Sequence, residues 1–230
     1  MIPIYAPQGS IEWHLARAGL ITGSIAYKAL NAPHADSTKD LAWRLAIERI
    51  SGEPLNEGNV GWAAKRGHEL EPEARMEHQA EINEIVEPVG FAIIADDWWF
   101  GCSADGLVER KGGAEYKCFT DPKALRSIVH EGDFGWVEVQ SMFGLWVTGR
   151  EWWDMGLYCP ALKPVGLQFT RHRLRRNDDA IDSMVERLQG FKAMVEDYEG
   201  FLRLQGERLG HKPLPIEQQR AHLLKLGRTD

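Results

Sequence analysis

The chain changes its hydrophobic rhythm twice. Residues 37–52, "STKDLAWRLAIERISG", place Leu41, Leu45 and Ile50 near one helical face between a Ser37 or Thr38 start and a Gly52 stop. "IEWHLARAG" predicts a short helix ended by Gly19, and "TGSIAYKALN" another, with Thr22 or Ser24 available as its cap. "AAKRGHELEPEARMEHQAEI" is helical in composition, but Pro72 inside it predicts a kink or break. The rhythm then shortens. "VEPVGFAII", "WWFGCSA", "GLVER" and "GAEYKCF" are brief β-branched and aromatic runs separated by Gly or Asp, the pattern of a strand meander. Two helices, "DPKALRSIVHEG" and "GWVEVQSMFGLWVTG", lead to two further strands, "EWWDMGLYC" and "VGLQFTRHRL". From Asn177 or Asp178 one long amphipathic helix closes the pattern. The order predicts an α/β fold with a mixed sheet flanked by helices. No stretch resembles a linker, so residues 1–230 are expected to form a single domain.

Composition narrows this. The 230 residues are 43% hydrophobic and 27% charged, ordinary for a globular chain able to bury a core. No apolar run approaches the roughly 20 residues that span a bilayer, and the start lacks the pattern of a secretion signal. Cys102, Cys118 and Cys159 are an odd set without CxxC spacing, which argues against disulfides and zinc and for a reducing compartment. The net charge of −7 argues against an ordinary DNA-binding module, but a ligand seen only inside a cleft needs local positive charge alone. "FTRHRLRR" (169–176) is the one dense basic cluster, either a solvated strand end or the lining of such a cleft. The nine tryptophans are core candidates, and an exposed one near nucleic acid could stack on a base.

The candidate chemistry lies in "GCSADGLVERKGGAEYKCFTD" (101–121). Strand alternation puts Glu115 and Lys117 on one face and turns Tyr116 away. If the preceding strand is a neighbour, Asp105 reaches the same face. Two converging carboxylates stay ionised together only around a cation, and oxygen ligation suits Mg²⁺, with Mn²⁺ as a substitute. The backbone carbonyl of Tyr116 is a third possible ligand. Lys117 could orient and deprotonate a water or neutralise a phosphate. A D-x9-E-x-K array of this kind suits phosphodiester hydrolysis, although E-x-K alone is also common on plain surface strands.

Four segments together carry a family resemblance: "EWHLARAGLITGS" (12–24), "RGHELEPEAR" (66–75), the pair "CSADGL" and "AEYKC", and "VEVQSMFGLWVTG" (137–149). In order and spacing over residues 12–150 they resemble the lambda-exonuclease-like viral recombinases, the YqaJ group of the PD-(D/E)XK nucleases. Two positions depart from the pattern. Ala104 stands where proline usually precedes the aspartate, and Met142 replaces a second glutamine after Gln140.

The resemblance implies a PD-(D/E)XK core with a long C-terminal helix, Asp105 and Glu115 as metal ligands, and Lys117 as the catalytic lysine. It implies that Glu71 stands beside the metal and that Gln140 orients substrate or Lys117; the plain alternatives are a solvated helix carboxylate and a surface amide. Arg17, Thr22 and Ser24 would form a pocket for a 5′-terminal phosphate, against the alternatives of an ion pair and simple helix caps. It further implies a 5′→3′ exonuclease on double-stranded DNA ends that releases mononucleotides. The 3′ tail would be loaded by a single-strand annealing protein in a phage recombination system, in the cytoplasm of a bacterial host. A homotrimeric toroid around the duplex is implied as well, and the loop 55–65 is a candidate strand wedge. The alternatives are an endonuclease with the same metal site, a non-catalytic DNA-binding protein with this fold, and a metal-free carboxylate-pair hydrolase.

Overall fold

The computed structural model describes residues 2–55, 62–94, 97–119 and 121–211, with the side chains of residues 62–64 excepted. The elements run β1 (Ile2–Ile4), α1 (Ile11–Arg17), β2 (Ile21–Thr22), α2 (Gly23–Ala29), α3 (Asp36–Ser51), α4 (Trp62–Ile82), β3 (Val86–Glu87), β4 (Phe91–Ile93), β5 (Phe100–Cys102), β6 (Gly106–Val108) and β7 (Gly112–Cys118). They continue through α5 (Pro122–Leu125), a π-helical turn (Arg126–His130), α6 (Gly135–Thr148), β8 (Trp152–Tyr158), a 3-10 turn (Pro160–Val165), β9 (Phe169–Arg175) and α7 (Asp178–Arg208). The chain forms two compact units, neither contiguous in sequence. One takes residues 1–55, 90–103 and 177–230; the other takes 56–89 and 104–176.

The first unit holds a four-stranded sheet in the order β1-β4-β5-β2. Its β2–β5 pair is parallel and the others antiparallel. Helix α1 begins where the Ser10 hydroxyl accepts the Trp13 N–H at 3.1 Å. Gly19 then turns the chain with φ +70°, a conformation that favours glycine, and its N–H meets Glu48 Oε2 at 2.8 Å. Any Cβ at Gly19 would sit 2.4 Å from Arg49 Cγ, so the turn is closed to larger residues. Helix α7 is capped by Asn177, whose side chain accepts the Ala180 N–H. It buries Ile181, Met184, Leu188, Phe191 and Val195, spaced three and four apart as the sequence predicts. A buried Arg49–Glu199 ion pair at 2.8 Å ties α3 to α7.

The second unit carries the mixed sheet, in the order β3-β6-β7-β8-β9, with β7 and β8 parallel and the remaining pairs antiparallel. The parallel pair needs a crossover, which α5, the π turn and α6 supply. Trp153 on β8 is fully buried against two glycines: a Cβ on Gly113 or Gly144 would lie 2.2 or 2.6 Å from its ring. Helix α4 runs unbroken from Trp62 to Ile82 through Pro72, where a kink or break was expected. Leu70, Ala74 and His78 are buried at four-residue spacing, and that packed face offsets the hydrogen bond the proline removes.

The predicted α/β class, mixed sheet and long C-terminal helix are all present. The meander is divided: β4 and β5 lie in the four-stranded sheet, while β3, β6 and β7 lie in the mixed one. Thr22 stands at the N-cap of α2 without a side-chain capping bond, and α3 begins at Asp36 after Ala35. The proposed wedge loop falls largely on residues 56–61, outside the described residues.

Candidate active site

Asp105 precedes β6, and its N–H donates to the Ala114 carbonyl on β7 at 3.1 Å. That bond fixes the strand entry, so Ala104 serves where the resemblance expects proline. The Asp105 carboxylate turns back onto the same hairpin, where Oδ2 accepts the Tyr116 N–H at 2.6 Å. Beside it, Glu115 Oε1 accepts from Lys117 Nζ at 2.7 Å and from Gln140 Nε2 at 2.5 Å. Lys117 also donates to Gln140 Oε1 at 3.2 Å, which closes a three-residue ring between β7 and α6. Asp105, Glu115 and Gln140 are all buried. Tyr116 points the other way, as alternation requires, with its hydroxyl 2.8 Å from His78 Nδ1.

Helix α4 brings Glu71 to the same region, with Oε1 2.8 Å from His68 Nδ1. Its charge is felt by both Asp105 and Lys117. Burial, then Glu115 and Glu71, hold the Asp105 carboxyl well above the usual carboxylate range. Burial lowers the Lys117 amine, but Glu115, Asp105 and Glu71 more than reverse that, so its net shift is upward and it stays an ammonium. Negative charge therefore exceeds what one ammonium balances, which is what a cation site requires. Among the described residues no three His, Cys, Asp or Glu side chains cluster as metal ligands. A cation at Asp105 and Glu115 would complete its shell from backbone carbonyl and solvent oxygen, the habit of Mg²⁺. The donors present fit such an ion.

The first unit contains a second polar cluster. Arg17 Nη1 donates to Ser103 Oγ at 3.0 Å, and Nη2 donates to Ser24 Oγ at 2.9 Å and Thr22 Oγ1 at 3.4 Å. The guanidinium lies 4.1 Å from the Trp13 ring centroid, and the Trp13 indole N–H also donates to Ser103 at 3.0 Å. A cation fanned across three hydroxyls at the start of a helix is a ready anion cradle.

With both clusters in place, the sequence profile of the YqaJ-like viral recombinase domain matches residues 12–151. The chain belongs to this family. Among solved structures, the YqaJ-like chain is similar to the alkaline exonuclease LHK-Exo from Laribacter hongkongensis at 29% identity and TM-score 0.77, covering 87% of this chain and all of that one. LHK-Exo in complex with dAMP matches at TM-score 0.78 with the same identity and coverage. A phage-related exonuclease from Haemophilus somnus, 16% identical, shares the fold at TM-score 0.62, over 81% of this chain and 96% of that one. No curated protein sequence matches significantly. Nuclease chemistry in this YqaJ-like chain is thus supported by family and by solved relatives.

The site predicted from sequence divides as the units do. Asp105, Glu115, Lys117, Gln140 and Glu71 gather in one; Arg17, Thr22 and Ser24 gather in the other. Sequence reasoning missed four participants. Ser103 was hidden because only the fold pairs it with Arg17. Arg75 donates to the Asp105 carbonyl at 3.0 Å, and the motif "EPEAR" already carried that signal. His68 is one turn before Glu71, which the helical register would have shown. Trp136 lies over Lys117.

In the basic run 169–176 of the YqaJ-like chain, Arg171, Arg173 and Arg176 are tied to protein partners, while His172 and Arg175 are exposed. Arg173 Nε and Nη2 grip the buried Asp154 at 2.7 and 2.8 Å, and Arg171 donates to the same carboxylate at 3.3 Å. Arg176 donates to the Leu145 carbonyl at 2.8 Å. His78 completes the set on Asp154 at 3.0 Å. Despite burial, these partners depress the Asp154 pKa to about 2. Among the described residues no helix is long and apolar enough to cross a membrane.

Proposed function

We propose that the chain is a Mg²⁺-dependent 5′→3′ exonuclease acting on double-stranded DNA ends. The observation that carries this reading is the ring of Lys117, Glu115 and Gln140 beside the buried Asp105. Asp105, Glu115 and the Tyr116 carbonyl would hold the ion, with Mn²⁺ as a substitute. A divalent ion there supplies an acidified water and neutralises charge developing on the phosphate.

The chain's own groups do the remaining work. The Tyr116 N–H fixes the Asp105 carboxylate through one oxygen, so that it would be oriented for an ion. Gln140 locks Lys117 and Glu115 to each other, so neither reorganises during the reaction. Lys117, held by Glu115 and Gln140, has two roles open to it: orienting and deprotonating the attacking water, or placing its charge on the scissile phosphate. Glu71, held by His68, orients the attacking water.

The Arg17 cradle favours an exonuclease over an endonuclease. Three hydroxyls and a guanidinium match the acceptors of a terminal phosphate, and an enzyme cutting within a duplex needs no such group. Mononucleotides leave and a 3′ single strand remains for an annealing protein, in the cytoplasm of a bacterial host during phage recombination. LHK-Exo in complex with dAMP is in keeping with such a product. A homotrimeric ring around the duplex completes the reading, as the family resemblance implies.

The test is a 5′-phosphorylated linear duplex beside a closed circle, each with Mg²⁺ and with EDTA. The linear duplex should be digested to mononucleotides only with Mg²⁺, and the circle should survive. Lys117→Ala should lose about 10²–10³-fold in rate while still binding DNA ends. Digestion of the circle at a similar rate rejects the exonuclease reading, and activity in EDTA rejects the metal.

A further inference from the structure

We propose that Trp136 is the stacking platform for a nucleobase flanking the scissile phosphate; this rests on the nuclease reading above. Trp136 and Gln140 are four residues apart on α6 and share a helical face. Gln140 reaches into the carboxylate cluster, so Trp136 stands one turn away at its edge. The indole ring centroid lies 4.5 Å from Lys117 Nζ. One side of the ring therefore meets the Lys117 amine. A nucleotide carries its base one sugar away from its phosphate, and Trp136 stands one side chain away from Lys117.

Exposure strengthens the case. Among the tryptophans whose side chains are described, Trp136 alone is exposed, at 41%. Trp13, Trp99 and Trp153 are buried, and Trp43, Trp98, Trp146 and Trp152 are half-buried. An indole left in water beside a buried polar cluster forgoes the burial this residue type ordinarily gains. Holding Lys117 does not require it, because Glu115 and Gln140 already do so at 2.7 and 3.2 Å. A protein partner seated on this ring would cover the catalytic amine. A base does not have that defect, since the phosphate it brings is what the site receives. Stacking also suits an enzyme that must accept every base, because all four present a π-face.

The test uses the full chain and three duplexes with a 5′-phosphate: one unmodified, one with an abasic tetrahydrofuran residue at the first position, one with it at the second. Binding is measured in EDTA and hydrolysis with Mg²⁺, for wild type, W136F and W136A. Wild type should disfavour one of the two abasic ends by about 10-fold in binding and in kcat/KM. W136A should bind and cut that abasic end and the unmodified end alike, and W136F should restore most of the discrimination. An equal loss on all three substrates overturns the proposal, since it marks an indole that only supports Lys117. A changed assembly mass with discrimination intact also overturns it, since the ring would then face a second copy. The binding arm stands whether or not hydrolysis occurs, so failure of the nuclease reading appears separately as wild type that cuts nothing.

Discussion

Replacing Asp105 by Asn should make the metal-free protein more stable and nearly inactive. Asp105 is 5% exposed, and its carboxyl is held above the ordinary range first by burial and then by Glu115 and Glu71. A carboxyl whose folded pKa is raised weakens the fold at neutral pH, and the penalty fades as pH falls through that raised value. Asn keeps the acceptor for the Tyr116 N–H, now 2.6 Å from Oδ2, and removes the repelling charge. On the scale of single stabilising substitutions, removing that repulsion is expected to gain about 1–2 kcal/mol. In a chain of this length that is roughly 2–8 °C in melting temperature. The assay is a thermal melt in EDTA and in Mg²⁺. Wild type should rise with Mg²⁺, by about 2.7 kcal/mol at a hundred times its dissociation constant, and D105N should not. The gap in EDTA should shrink when the melt is repeated at lower pH. A D105N protein that melts below wild type in EDTA, or one that still responds fully to Mg²⁺, would refute the idea that Asp105 holds charge for a cation.

Two predictions concern other parts of the molecule. Arg17→Ala should erase most of the preference for a 5′-phosphate over a 5′-hydroxyl end, on the order of 10-fold, measured as the ratio of initial rates; an unchanged ratio places the phosphate elsewhere. Asp154→Asn should destabilise the protein by about 3 kcal/mol in urea titration, because Arg173, Arg171 and His78 lose the carboxylate they surround. Since the Asp154 pKa is lowered to about 2, its contribution is present above the ordinary carboxylate value and is lost as acid takes the pH through about 2.

The candidate site hairpin was legible because strand alternation is a rigid rule. Once Glu115 and Lys117 are two apart on a strand, they share a face whatever the fold does. Helix α7 was legible for the same reason, its buried residues repeating over 31 residues. Long-range pairing was not legible. Nothing local says that β5 and β6, three residues apart in sequence, belong to different sheets. Nor does local sequence say that Arg171 and Arg173 of "FTRHRLRR" end on one buried aspartate, since "EWWDMG" shows Asp154 only as an isolated charge on a strand. Pro72 misled for a related reason. Proline propensity is a local cost, whereas α4 is held by the face it buries at Leu70, Ala74 and His78.

Strand β7 carries opposite electrostatic arrangements on its two faces. On one, Asp105, Glu115 and Glu71 crowd negative charge that a single ammonium leaves uncompensated. On the other, Tyr116 joins His78, Asp154 and two arginines in a network whose carboxylate is fully satisfied. The second arrangement allows the first. A strand bearing repelling carboxylates would relax unless its far side were pinned, and Tyr116 is the residue between Glu115 and Lys117. Neutralising an aspartate should therefore act in opposite directions on the two faces. D105N should gain stability and lose hydrolysis, whereas D154N should lose stability and keep the chemistry at temperatures where it remains folded. If both variants move stability the same way, the two faces do not divide the labour between holding and reacting.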